Sequence, residues 1–156
     1  MVPAGRGAPH HQLQELGDDA GRGPRESLWS GVGLLSLLLV LHNGLFRTGL
    51  VITVIIAVWG LLTYFRKQPS SGSFRATLVL TEALFIVQGL VGALLFANGR
   101  RPHDNLHWLY GILLVILLPI AASYVSGREP RREPLVYGIA GLFMAGLTIR
   151  ALTTGQ

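Results

Sequence analysis

From residue 28 onward the chain is a succession of long apolar runs, interrupted by short clusters of proline, glycine, serine and basic residues. The runs cover 28–65, 76–98, 104–125 and 135–152. The interruptions are 66–75 (RKQPSSGSFR), the Asn98-Gly99-Arg100-Arg101-Pro102 segment and 126–134 (SGREPRREP). A hydrocarbon core about 30 Å thick is crossed by about 20 apolar residues in a helix. The last three runs have that length, and each ends at the Asn-Gly, Pro or Gly signals that stop helices. The first run is too long for one straight crossing: as a single helix it would extend about 57 Å at 1.5 Å per residue. His42-Asn43-Gly44 and Arg47-Thr48-Gly49, turn formers and polar groups, stand at its midpoint. They predict a tight helical hairpin with spans at about 28–45 and 47–65. The alternative is one span from about 46, preceded by an apolar segment along the membrane interface. An interfacial helix needs a polar face, and Leu34–Leu41 (LLSLLLVL) lacks a strong one.

The expected fold class is therefore all-α, a polytopic transmembrane helical bundle of five spans, or four if 28–45 does not cross. Residues 1–27, rich in Gly, Pro and mixed charge, form the expected disordered cytoplasmic tail, and 28–156 the bundle. The tail has no apolar core of the kind a secretory signal requires. Its adjacent His10 and His11 suit no metal-binding face. Pro119 lies inside the 104–125 span and is expected to kink it, because it removes one backbone hydrogen bond.

Composition agrees with a membrane class. Half the residues are hydrophobic and only 13% are charged, too few to give every element a charged exterior in water. The chain has no cysteine, which excludes disulfides, thiolate chemistry, Cys-ligated zinc and iron–sulfur clusters. A net charge of +5 comes from arginines scattered near helix ends. That distribution fits anionic lipid headgroups and topology, with no nucleic-acid partner. On the five-span reading, Arg22, Arg25, Arg66, Lys67, Arg75, Arg128, Arg131 and Arg132 share one side. Arg47, Arg100, Arg101 and Arg150 occupy the other. That imbalance puts the N-terminus in the cytoplasm, in a bacterial plasma membrane. Four spans would divide the same residues six and six. Trp29, Tyr64, Tyr124 and Tyr137 would line the inner interface and Trp108 the outer one.

Candidate chemistry gathers at the non-cytoplasmic side. His42, His103 and His107 all come there, and His103 and His107, four apart, share a helix face with Asp104 between them. Three readings stay open. The histidines can be interfacial groups bonded to water. His42, His103 and His107 can hold a divalent metal. Or His42 and His107 can be the axial pair of a b-type haem. Glu82, the one acid inside a span, is a proton-relay candidate or a hydrogen-bonding tether to Tyr64, Tyr124 or Tyr137. Gln88, Gly89 and Gly92 would let another helix or a flat ring approach closely. Gly138, Gly141 and Ala145 form a small-residue face for helix packing, or for contact with other membrane subunits or a second copy.

Leu41-His42, then Gln88-Gly-Leu-Val-Gly-Ala93, then Asn98-Gly99, then His107 at the head of a span, resembles one half of a haem A synthase-type membrane protein. The likeness covers roughly residues 40–120. In that family each half is a four-helix bundle whose two histidines, on its second and fourth helices, flank haem. The resemblance implies haem b between His42 and His107, with Gln88, Gly89 and Gly92 lining the macrocycle. The pattern departs at Leu39, where the family typically carries a glutamate, and in lacking a second half. The leading functional expectation is a small haem protein for electron transfer or haem handling near the outer leaflet. The alternatives are a non-catalytic accessory subunit of a larger membrane complex and a proton-coupled small permease using Glu82.

Overall fold

The computed structural model describes residues 24–127 and 129–155, with side chains from Gly33 onward. The tail up to residue 23, with His10 and His11, lies outside the described residues, as does the side chain of Trp29. The described residues form four helices and no strand: α1 (Pro24–Phe65), α2 (Gly72–Ala97), α3 (Leu106–Val125) and α4 (Glu133–Gly155). The chain divides into two compact units, Met1–Leu37 and Leu38–Gln156. Of the first unit's described side chains, Leu34 and Leu37 are exposed, and Ser36 turns its hydroxyl onto the Gly33 carbonyl of its own helix. The second unit holds the bundle.

All four helices are long and apolar enough to cross a membrane, the first over Gly33–Phe65. The protein is an integral membrane protein with four candidate spans, the smaller of the two expected numbers. The hairpin expected at 28–65 is not formed, and the polar cluster at its midpoint stays helical. Thr48 satisfies its hydroxyl within the helix, on the Gly44 carbonyl at 3.1 Å, while Asn43 and Arg47 point outward. Gly49 serves packing: a Cβ there would meet the Phe85 ring at 3.1 Å. Turn-forming residues break a helix only when nothing satisfies them inside it. The eight-to-four division of basic residues, which assumed five spans, falls with the hairpin.

Local chemistry sets the other boundaries. Ser71 caps α2 by accepting from the Phe74 amide at 3.1 Å, so this helix starts earlier than the expected residue 76. At its far end Gly99 takes a positive φ of 83°. The Gly99 amide donates to the Phe96 carbonyl and the Arg100 amide to that of Leu95, the Schellman closure. Asp104 receives the Leu106 amide at 3.0 Å at the start of α3. That helix runs on through Pro119 to Val125.

Apolar residues face outward as well as inward, unlike those of a water-soluble bundle. Val51, Ile55, Leu80, Leu90, Ile112, Ile120, Leu142 and Phe143 are exposed, as lipid-facing residues would be. Thr53, Thr81 and Thr148 are fully buried, and each bonds a carbonyl of its own helix. The apolar core joins Ile56 of α1, Phe74, Leu78 and Phe85 of α2, Leu114 and Leu118 of α3, and Tyr137 and Met144 of α4. Tyr64, Tyr124 and Tyr137 lie near one end of the bundle and Trp108 near the other, with Tyr137 buried in the core. At the tyrosine end, Arg75 of α2 makes a two-point ion pair with Glu133 of α4, at 2.9 and 2.7 Å.

The tightest contact is between α1 and α4. A Cβ at Gly141 would stand 2.8 Å from the Ala57 nitrogen, one at Gly138 2.9 Å from the Leu61 nitrogen, and one at Gly60 2.6 Å from the Pro134 oxygen. The two backbones touch, and only glycine permits it. The face of Gly138, Gly141 and Ala145, a candidate for joining another subunit, is thus buried within this chain.

This crossing yields a paired expectation. Gly141→Leu should lower stability by about 1–3 kcal/mol, the usual cost of overpacking a tight core. Gly146→Ala, on the same helix with nothing within 4 Å of the new methyl, should stay within about 0.5 kcal/mol of the parent. Thermal unfolding in a neutral detergent measures both, and equal effects would show that the crossing is not the tight point of the bundle.

Candidate functional site

The site is built where α1, α2, α3 and the end of α4 come level. His42 projects from α1 and His107 from the first turn of α3. Their ring centroids are 6.2 Å apart, with the ring planes inclined at 51°. Both side chains are half-buried. The crossing of Gly141 on Ala57 brings these positions to one height. At 1.5 Å per residue, His42 lies about 22 Å along α1 from that crossing and Gly155 about 21 Å along α4.

His107 is held by the last turn of α4. Its Nδ1 is 2.9 Å from the Ala151 carbonyl oxygen. A carbonyl only accepts, so Nδ1 carries a proton, which leaves Nε2 as the ring nitrogen turned away from the α4 turn. The same turn receives the Asp104 amide on the Thr154 carbonyl at 3.1 Å, which fixes the entry to α3. Gly155 lies against the imidazole: a Cβ there would stand 2.7 Å from His107 Cε1 and 2.8 Å from Nδ1. Sequence reasoning placed none of Ala151, Thr154 or Gly155 at the site. They act through backbone, or through the absence of a side chain, and leave no motif.

His42 is held from the other side. Gln88 donates from Nε2 to the His42 carbonyl at 3.0 Å, and its Oε1 is buried without a partner. Gln88 therefore braces α1 against α2. Gly92 sits against the ring: a Cβ there would lie 3.3 Å from His42 Cε1. The His42 Nδ1 is buried and has no hydrogen bond. Gly89 is exposed, and a Cβ there would come no nearer than 4.0 Å to Val115 of α3 across the gap. Beside His107, Trp108 packs edge-on against Phe96, and the Arg101 guanidinium lies over the Phe96 ring at 5.9 Å.

His103 is exposed and does not join the pair. Among the described residues no group of three or more His, Cys, Asp or Glu gathers in ligating range, so the cluster of His42, His103, His107 and Asp104 is not assembled. Glu82 stands elsewhere, about 9 Å along α2 from Gln88 toward the tyrosine end. Its Oε2 is buried without a partner, and no bond joins it to Tyr64 or Tyr137.

Two imidazoles at this separation are close enough to reach one shared ion. Metal–imidazole bonds of about 2 Å on each side leave ring centres about 6 Å apart. A buried ring nitrogen with no partner, as at His42, is unfavourable, and a ligand relieves it. The Ala151 carbonyl behind His107 Nδ1 fixes the tautomer and the orientation of the ring. No protein-family model, curated protein or solved structure matches the chain.

The Ala151 contact has a direct spectroscopic signature. Nitrogen-15 NMR of selectively labelled protein should show His107 protonated at Nδ1. Gly155→Val, which forces the ring away from the α4 turn, should mix the two tautomers. A parent His107 protonated at Nε2 would contradict the hydrogen bond.

Proposed function

We propose that the protein binds a b-type haem between His42 and His107 and serves electron transfer or haem handling at that end of the bundle. One observation carries the reading: imidazoles 65 residues apart in sequence, on two different helices, stand 6.2 Å apart between ring centres. Two axial bonds to one iron demand about that separation. The resemblance to a haem A synthase half points to the same pair. It departs in helix order, since His42 here lies on the first described helix and His107 on the third.

Bound haem supplies one-electron chemistry, and the chain's own groups set its surroundings. His42 and His107 would hold the iron. The Ala151 carbonyl orients His107, and Gln88 braces the helix that carries His42. Gly92 lets the His42 ring pack against α2, where a larger residue would press on it, and Gly89 is exposed on the same helix. Half-burial limits the water around the imidazoles, and that lowers the local dielectric in which charge would change. The accessory-subunit reading loses its proposed contact face to α1. The permease reading retains Glu82 alone.

A visible spectrum of the protein purified from cells supplied with haem tests the proposal. The reduced parent should show the sharp α-band of low-spin bis-histidine haem. His42→Ala and His107→Ala should each abolish it, while His103→Ala, at the exposed histidine, should leave it intact. A folded parent that remains colourless after haem supplementation would sink the reading.

A further inference from the structure

At the tyrosine end, opposite the histidines, a shallow, open groove of about 460 Å³ runs along the outward face of α1. Its wall is apolar, including Val54, Val58, Trp59 and Leu62, and its mouth carries Arg66 and Gln68. We propose that this groove is a binding site for an anionic phospholipid, with an acyl chain along the wall and the phosphodiester at Arg66.

Length, charge and backbone each support this occupant. From Val54 to Arg66 α1 rises about 18 Å, close to the depth of one leaflet of a hydrocarbon core about 30 Å thick. The groove thus has the reach of one lipid chain with its headgroup. Arg66 is exposed, and among the described residues its guanidinium forms no hydrogen bond or ion pair; the Lys67 ammonium beside it is equally unpaired. Unpaired cations above an apolar slot complement a molecule that is anionic at one end and hydrocarbon beyond it. A free phosphate would leave the wall unused, and a zwitterionic lipid would bring its own cation against Arg66.

The backbone at the mouth is unusual in the same direction. α1 ends in the Schellman closure seen at the end of α2: the Lys67 amide donates to the Tyr64 carbonyl and the Gln68 amide to that of Thr63. At α2 the left-handed position is Gly99. At α1 it is Lys67, with φ of 59°, the one non-glycine residue with positive φ among those described. A lysine there is strained where glycine would not be. The closure also ties up helix-end carbonyls that would otherwise repel an anion.

Native mass spectrometry of the full chain in neutral detergent, titrated with phosphatidylglycerol or phosphatidylcholine, tests the proposal. Phosphatidylglycerol should bind at least about tenfold more tightly, a difference of about 1.4 kcal/mol. Arg66→Gln should reduce that preference to under about twofold. The double variant Arg131→Gln/Arg132→Gln, away from the groove, should retain it. Val58→Trp, which fills the slot while leaving both cations, should also abolish tight binding. Equal affinity for the two lipids, or a preference lost as readily through Arg131 and Arg132 as through Arg66, would overturn the site in favour of diffuse attraction to the basic rim. None of these readouts depends on haem.

Discussion

Direct backbone contact between α1 and α4 is the constraint on which the rest of the bundle depends. Gly60, Gly138 and Gly141 let the two helices meet with no side chain between them. In a membrane this matters more than in water, because lipid tails are as apolar as leucine and hydrophobicity alone does not draw helices together. Close packing and hydrogen bonds must do so. Once α1 and α4 touch at Ala57 and Gly141, their rise per residue fixes the relative heights of their ends. His42 then falls level with the α4 turn that holds His107.

Polar groups in the interior are mostly satisfied close to home. Buried threonines turn their hydroxyls onto their own helices, and Gln88 is one of the few side chains to reach across to another helix's backbone. The polar atoms left over are therefore informative. Among the described residues within the helices they are His42 Nδ1 and Gln88 Oε1 near the histidines, and Glu82 Oε2 farther along α2. Two of the three sit at the candidate site, where a bound group would change their surroundings. The bundle thus has two chemically distinct ends. One gathers imidazoles with their supports; the other carries tyrosines, a two-point ion pair and unpaired cations above an apolar groove.

The first hairpin shows how a local signal misleads. Asn43-Gly44 and Thr48-Gly49 have the composition of a turn, yet the helix satisfies Thr48 internally, points Asn43 outward and uses Gly49 to seat Phe85. Turn propensity records what a residue tolerates; tertiary packing decides whether a turn is made. Gly138, Gly141 and Ala145 carried a similar ambiguity. A small-residue stripe announces a close helix contact without saying whether the partner helix belongs to the same chain.

Read alone, the sequence determined the all-helical membrane class, because lipid tolerates only segments whose backbone groups are satisfied internally, and apolar length reveals them. It also determined the ends of α2 at Asn98-Gly99 and of α3 near 125, where the stopping chemistry is local, and it singled out His42 and His107 as unusual polar groups beside spans. Tertiary structure decided that 28–65 is one continuous helix, that His103 stands apart, and that Ala151 and Gly155 position His107. Those outcomes depend on distances between residues remote in the chain and on backbone atoms common to every residue, and neither is written in residue identity.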